Sequence, residues 1–231
     1  MNLKFLILFS CLILLIVGCA KEPTEIISVE QLDDNTKIIT TDYSLGQNKG
    51  EQQDIIYQED NQTFQNYFDP SLRGAFQWIK ENISEGKFLS WWDYGHMIKG
   101  YSGQEVIIYS PSEDILWSLA SQRWDEEKSG LFSSTEKIED VAEALTTTDL
   151  RVTTEIMKKY KANYVFVAKK DKAASWVLFK ITGRDDYYNK ENYQAAEKAS
   201  ETVLFRMDDG DEFSQFELVY DDKTAKIYKL R

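Results

Sequence analysis

The stretch DLRVTTEIMKKYKANYVFVA, residues 149–168, changes its period half-way along. From Asp149 to Tyr160, the apolar residues Val152, Ile156 and Met157 recur at helical spacing and line one face. In NYVFVA, residues 163–168, everything after Asn163 is continuously apolar and rich in β-branched and aromatic residues, as in a strand buried on both sides. A helix feeding such a strand points to an α/β layer fold.

The alternation extends in both directions. Upstream, Pro70 opens a helix whose stripe is Leu72, Ala75, Phe76 and Ile79, with Gly86 closing the segment. KFLSWW (87–92) reads as a short buried strand. EVIIYS (105–110) reads as a second, with Ser112 capping a helix whose inner face is Ile115, Leu116 and Leu119. Thr135 to Leu145 is a further helix. Downstream, SWVLFKI (175–181) reads as another strand and 189–207 as helical. FELVY and AKIYKL flank residues 221–224 as a closing hairpin. The expectation is one mixed helix-and-strand domain of the α/β class over residues 67–231.

The residues before it differ in character. Residues 1–19 carry Lys4 and then an apolar run from Phe5 to Gly18, about 21 Å of helix and short of a bilayer core of about 30 Å. This fits a secretory signal, and Ile16-Val17-Gly18-Cys19 resembles the lipobox of exported lipoproteins, with Cys19 the lipidated residue. The alternative is an uncleaved anchor. Either places the remainder on the extracytoplasmic face of the cell membrane. Cys11 and Cys19 are the two cysteines, which leaves no thiol in the body for a disulfide or a metal. Residues 20–66 are polar and suit a stalk, although EIISVEQL and TKIITTDY alternate well enough for one or two short strands.

Composition narrows the function. At 231 residues with 42% hydrophobic and 13% aromatic content, the chain can bury a core. A net charge of -12 argues against nucleic acid, which requires clustered Lys and Arg. No phosphate-binding glycine loop, Ser-His-Asp set or paired catalytic carboxylate is present. MDDGDEF (207–213) lacks the ligand spacing of a calcium loop and reads as a solvated turn, and KKDK (169–172) as an exposed strand end.

One cluster stands out: SWWDYGHMI, residues 90–98, with Trp91, Trp92, Asp93, Tyr94 and Gly95 followed by His96, the single histidine. A double Trp at a strand end can be core, and Asp93 can be a helix N-cap. The run, taken with AFQWIKEN, TTTDLRVTTEIMKKYKANYVFVA, WVLFKITG and FELVYDDKTAKIYKL, resembles the soluble C-terminal core of the catalytic subunit of archaeal oligosaccharyltransferases, the enzymes of protein N-glycosylation. The resemblance spans about Leu72 to Arg231.

The resemblance implies that Trp91, Trp92 and Asp93 bind the hydroxyl of the Ser or Thr two positions after an acceptor asparagine. The chemistry is coherent: indole N–H groups donate, a carboxylate accepts, and the tryptophan faces cover a threonine methyl. Tyr94 and Gly95 are expected as supports, Gly95 by turning the backbone away from the strand, and His96 as a neighbouring or capping residue. A second acceptor-side motif is degenerate here, its best register being Asp171, Ala174 and Leu178 with the lysine absent; Lys172 would point elsewhere.

In the family, the divalent metal and the lipid-linked donor belong to a many-helix membrane domain, which residues 1–66 do not supply. No cofactor or catalytic residue is expected in this chain, a metal entering only with a membrane catalytic partner. The expected partners are N-x-S/T-bearing polypeptides, the membrane through the N-terminus, and a membrane oligosaccharyltransferase subunit. The alternatives are a soluble component of a split transferase and a structural lipoprotein without peptide binding. Asn61 and Asn82 head sequons of the chain's own.

Overall fold

A computed structural model of the protein describes residues 25–45, 48–112 and 133–231. The apolar N-terminal run with Cys11 and Cys19, and the helix expected to carry Ile115, Leu116 and Leu119, lie outside the described residues. Among the described residues no helix is long and apolar enough to cross a membrane.

Two sheets organise the chain. The first is a four-stranded antiparallel meander, β1 (Ile26–Asp33), β2 (Thr36–Leu45), β3 (Asn48–Glu59) and β4 (Gln62–Tyr67), paired in chain order. The second has five strands in the order β6-β5-β7-β9-β8, built from β5 (Lys87–Leu89), β6 (Glu105–Val106), β7 (Tyr164–Ala168), β8 (Phe216–Asp221) and β9 (Ala225–Leu230). β5, β6 and β7 run parallel, and β9 pairs antiparallel with both β7 and β8. The helices are α1 (Arg73–Asn82), α2 (Trp92–Ser102), α3 (Thr135–Thr146), α4 (Leu150–Tyr160), α5 (Asp171–Ile181) and α6 (Val203–Asp209).

The deciding stretch folds as expected. Asp149 caps α4 by accepting from Arg151 N at 3.0 Å, Lys161 ends it in the left-handed region, and every residue of β7 is buried. The core runs through aromatic contacts between layers, Phe76 stacking on Phe166 at 5.7 Å and Phe88 on Tyr164 at 5.1 Å. The closing hairpin of β8 and β9 is also present.

Residues 26–67 are not a stalk. Ile38 pairs with Ile55 and Tyr57 with Phe64 across the strands, and these four side chains are buried on one face. The opposite face holds the polar residues, where Gln52 and Gln65 both donate to Asp54 at 2.8 Å. A sheet with one wet face contributes few apolar residues per strand, and its average polarity hides it. The folded body therefore begins at β1, ahead of Phe68.

Three other elements depart from expectation. SWVLFKI is not a strand but the body of α5, with Asp171, Ser175, Leu178 and Phe179 inward at helical spacing. A continuous apolar run does not distinguish a strand from a buried helix. Here the flanks of the helix are covered as well, Trp176 by Tyr193 and Phe179 by Tyr187. The 189–207 segment is helical only in a 3-10 turn at Glu197–Glu201 and in α6. In EVIIYS the strand ends at Val106; Ile107 N still donates to the Phe88 carbonyl at 2.9 Å, after which Tyr109 N and Ser110 N turn to the Ser133 hydroxyl.

Candidate functional site

The WWDYG run sits where β5 ends and α2 begins. Trp91 is the residue before the helix, in extended conformation, and its carbonyl accepts from Tyr94 N at 3.1 Å. Asp93 is thus not the cap but lies within the first turn, where a negative charge meets the positive end of the helix dipole. The two indoles overlap, ring centroids 3.8 Å apart at 30°. Their exposure differs: Trp91 is 5% exposed and belongs to the core, while Trp92 is half-buried.

Trp91 therefore packs mostly against the core and against Trp92, which is the more open of the two indoles. Asp93 is solvent-exposed and accepts a hydrogen bond from the Trp92 side chain. The mass of protein around its carboxyl raises the pKa above the ordinary aspartate range, opposed first by Lys170 and then by Trp92. Water still reaches the group, so this crowding is only partial desolvation.

Beneath this surface lies a buried polar pair. The Tyr94 hydroxyl donates to Asp171 Oδ1, and Asp171 Oδ2 accepts from Ala168 N at 2.9 Å. Burial pushes the Asp171 carboxyl up to about 7 against those two hydrogen bonds, which favour its charged form. Two carboxylates, Asp93 above and Asp171 below, thus flank Tyr94. Lys170, immediately before α5, places its ammonium 5.2 Å from the Tyr94 ring and 2.8 Å from Asp69 Oδ2.

The back of α2 is held by the first sheet. His96 does not cap; it is buried, its Nδ1 hydrogen-bonded to the Tyr57 hydroxyl at 2.8 Å and its Nε2 enclosed with no hydrogen-bond partner among the described residues. Burial lowers its pKa to about 4, so the ring is neutral at neutral pH. Gly95 does not turn the chain either. It lies within the helix, and a Cβ there would stand 2.4 Å from the Ile108 carbonyl oxygen, so the glycine permits close approach of α2 to the segment after β6. Gly100 does the same toward Tyr57 and Ile55 of the first sheet.

Of the second motif, Asp171 reaches the first through Tyr94, whereas Leu178 is a core residue two turns on and Ala174 is exposed. Lys172 points away, pairing with Asp208 and Asp209, which also gives the acidic turn its counter-charge. Asn61 occupies the β3–β4 turn with Asp60, both at positive φ, and Asn82 ends α1 with its amide donating to the Trp78 carbonyl at 2.9 Å. Among the described residues no group of three or more His, Cys, Asp or Glu could hold a metal ion. Sequence reasoning missed Asp69, Lys170 and Tyr57. Asp69 and Lys170 are 101 residues apart, and no local pattern signals their pairing.

The chain is similar to solved structures. The C-terminal globular domain of an oligosaccharyltransferase from Archaeoglobus fulgidus matches 71% of this chain and 99% of its own, with TM-score 0.51 and 18% identity. A further crystal structure of such a domain from Archaeoglobus fulgidus matches at TM-score 0.44 and 20% identity over 71% of this chain and 96% of that one. The C-terminal domain of PglB from C. jejuni matches at TM-score 0.44 and 12% identity over 68% and 98%. No family model matches the chain, and no curated protein matches its sequence. The resemblance read from the sequence holds at the level of fold.

Proposed function

We propose that this protein is an extracytoplasmic recognition domain serving protein N-glycosylation, tethered at the membrane through Cys19 or an uncleaved N-terminal anchor. It holds N-x-S/T peptides against Trp92 and Asp93 and leaves glycosyl transfer to a separate membrane subunit, which would bring the metal and the lipid-linked donor. The fold shared with an oligosaccharyltransferase domain supports this reading.

One observation carries it: an exposed carboxylate beside a half-buried indole, on a helix start fixed from below by Tyr94 and Asp171. A peptide hydroxyl can donate to Asp93 while its carbon atoms lie on the Trp92 face. With Trp91 packed mostly against the core, the cradle has one open indole. Preorganisation by the buried pair lowers the ordering cost of binding.

The test is titration of the full-length chain, in detergent, with N-x-T and N-x-A peptides, followed by tryptophan fluorescence. Preferential binding of N-x-T supports the reading; equal affinity for both peptides removes it.

A further inference from the structure

Three carboxylates converge on the site from different elements: Asp69 before α1, Asp93 on α2 and Asp171 on α5. Lys170 acts on all of them. Its ammonium bonds Asp69 Oδ2 at 2.8 Å, lies over the Tyr94 ring at 5.2 Å, and favours the charged forms of Asp93 and Asp171.

Nothing in the local fold requires a lysine there. Lys170 is the residue before α5, at the helix end where a cation is electrostatically unfavourable, and it makes no side-chain cap. Asp171 already accepts from Tyr94 and from Ala168 N. The pair with Asp69 is largely open to solvent on the lysine side, at 46% exposure against 14% for the aspartate. The lysine end is open to water, and Asp69 keeps the Ser71 N and Ser71 hydroxyl as donors at 3.0 and 2.6 Å when the ammonium leaves, which limits the cost of the exchange. An ammonium has three donors, and Asp69 takes one.

Resting on the peptide-binding reading above, we infer that Lys170 is a further peptide-binding donor of the site, parked on Asp69 over Tyr94 and passed to a main-chain carbonyl of the docked peptide beside Asp93. The occupant class is an uncharged extended segment. An added carboxylate would meet Asp69 and Asp93, whereas an extended chain offers a carbonyl about every 3.3 Å. Asp69 then acts as the competitor that keeps the ammonium aimed at the site when it is empty. Its capping of Ser71 N, at 3.0 Å, is a separate role that asparagine can also fill.

The full-length chain and its Lys170→Met, Lys170→Arg and Asp69→Asn variants are titrated with N-x-T and N-x-A peptides, with thermal unfolding recorded for each. Lys170→Met is expected to weaken N-x-T binding about tenfold at an unchanged melting temperature, which is about 1.4 kcal/mol. Lys170→Arg restores most of it. Asp69→Asn tightens it two- to threefold, roughly the gain from removing one weak competing ion pair. A merely structural lysine would instead make Asp69→Asn weaken binding. Wild-type affinity in Lys170→Met, or no tightening in Asp69→Asn, overturns the inference while a wild-type preference for N-x-T keeps the reading intact. Loss of that preference in the wild type overturns both.

Discussion

Tyr94 on α2 gives its hydroxyl hydrogen to Asp171 on α5, a residue 77 positions later, and so fastens the WWDYG turn to the second sheet's helical layer. Both side chains are buried, Tyr94 at 1% and Asp171 at 6% exposure. Replacing Tyr94 by Phe keeps the ring and strands the carboxyl with one donor fewer. Urea unfolding should show a loss of about 1–3 kcal/mol, the usual cost of leaving a buried polar group short of a partner.

Asp93→Asn should act on binding rather than on folding. The side chain is exposed. The substitution keeps its shape but replaces one acceptor oxygen with an amide. Stability should stay within about 0.5 kcal/mol, as at other surface sites, while N-x-T affinity falls at least about tenfold. Trp92→Ala should give the same loss of affinity, with some stability lost as well because Trp91 is uncovered. Calorimetric titration paired with chemical denaturation separates the two effects.

Two buried groups impose opposite pH dependences on stability. Asp171 has a folded pKa raised to about 7, so the folded state binds the extra proton; its contribution is full below about 4, the unfolded value, and is lost as pH rises through about 7. His96 has a folded pKa lowered to about 4; its contribution is present above about 6.5 and is lost as pH falls through about 4. Between those limits the slopes oppose each other. In Asp171→Asn, stability should fall as pH goes from 6.5 to 4; in His96→Gln it should rise. Denaturation midpoints across that range would reveal either sign.

Gly95→Ala and Gly100→Ala should differ in cost. At 95 the new methyl meets the Ile108 carbonyl oxygen at 2.4 Å and Tyr109 Cα at 2.6 Å, both backbone atoms that move only with the chain. At 100 it meets side-chain rather than backbone atoms, Tyr57 Cδ1 at 2.7 Å and Ile55 Cδ1 at 2.8 Å, which can give more readily. Thermal unfolding should put Gly95→Ala at about 3 kcal/mol, the upper end of overpacking losses, and Gly100→Ala nearer about 1. The 95 variant should also bind peptide poorly, since α2 would be pushed off its seat.

The legible part of the fold was the part with unmixed periodicity. Residues 149–168 carry a clean helical stripe and then a strand buried on all sides, and the structure reproduces both. The first sheet escaped because half of each strand faces water, so that Ile38, Ile55, Tyr57 and Phe64 are dispersed among polar neighbours. The segment 171–181 misled because it is apolar on several faces, each covered by a different element. At the site, the residue types of the WWDYG run were visible, but their depths were not. Trp91 and Trp92 are adjacent letters with different fates, set by which of them precedes the helix. Contacts such as Tyr57 to His96 and Asp69 to Lys170 depend on long-range folding and leave no local trace.

The meander has a mechanical consequence. Its strands are hydrogen-bonded in chain order, and the main strand contacts to α2 come from β3 and β4. A pull on the chain ahead of Glu25 enters at β1 and meets the β1–β2 ladder and the Arg73–Glu30 and Lys80–Asp33 ion pairs to α1 before it reaches Tyr57 on β3. Under the proposed tethering, the outer strands would thus serve as a strain relief, yielding at the rim before the seat of Trp92 and Asp93 is disturbed.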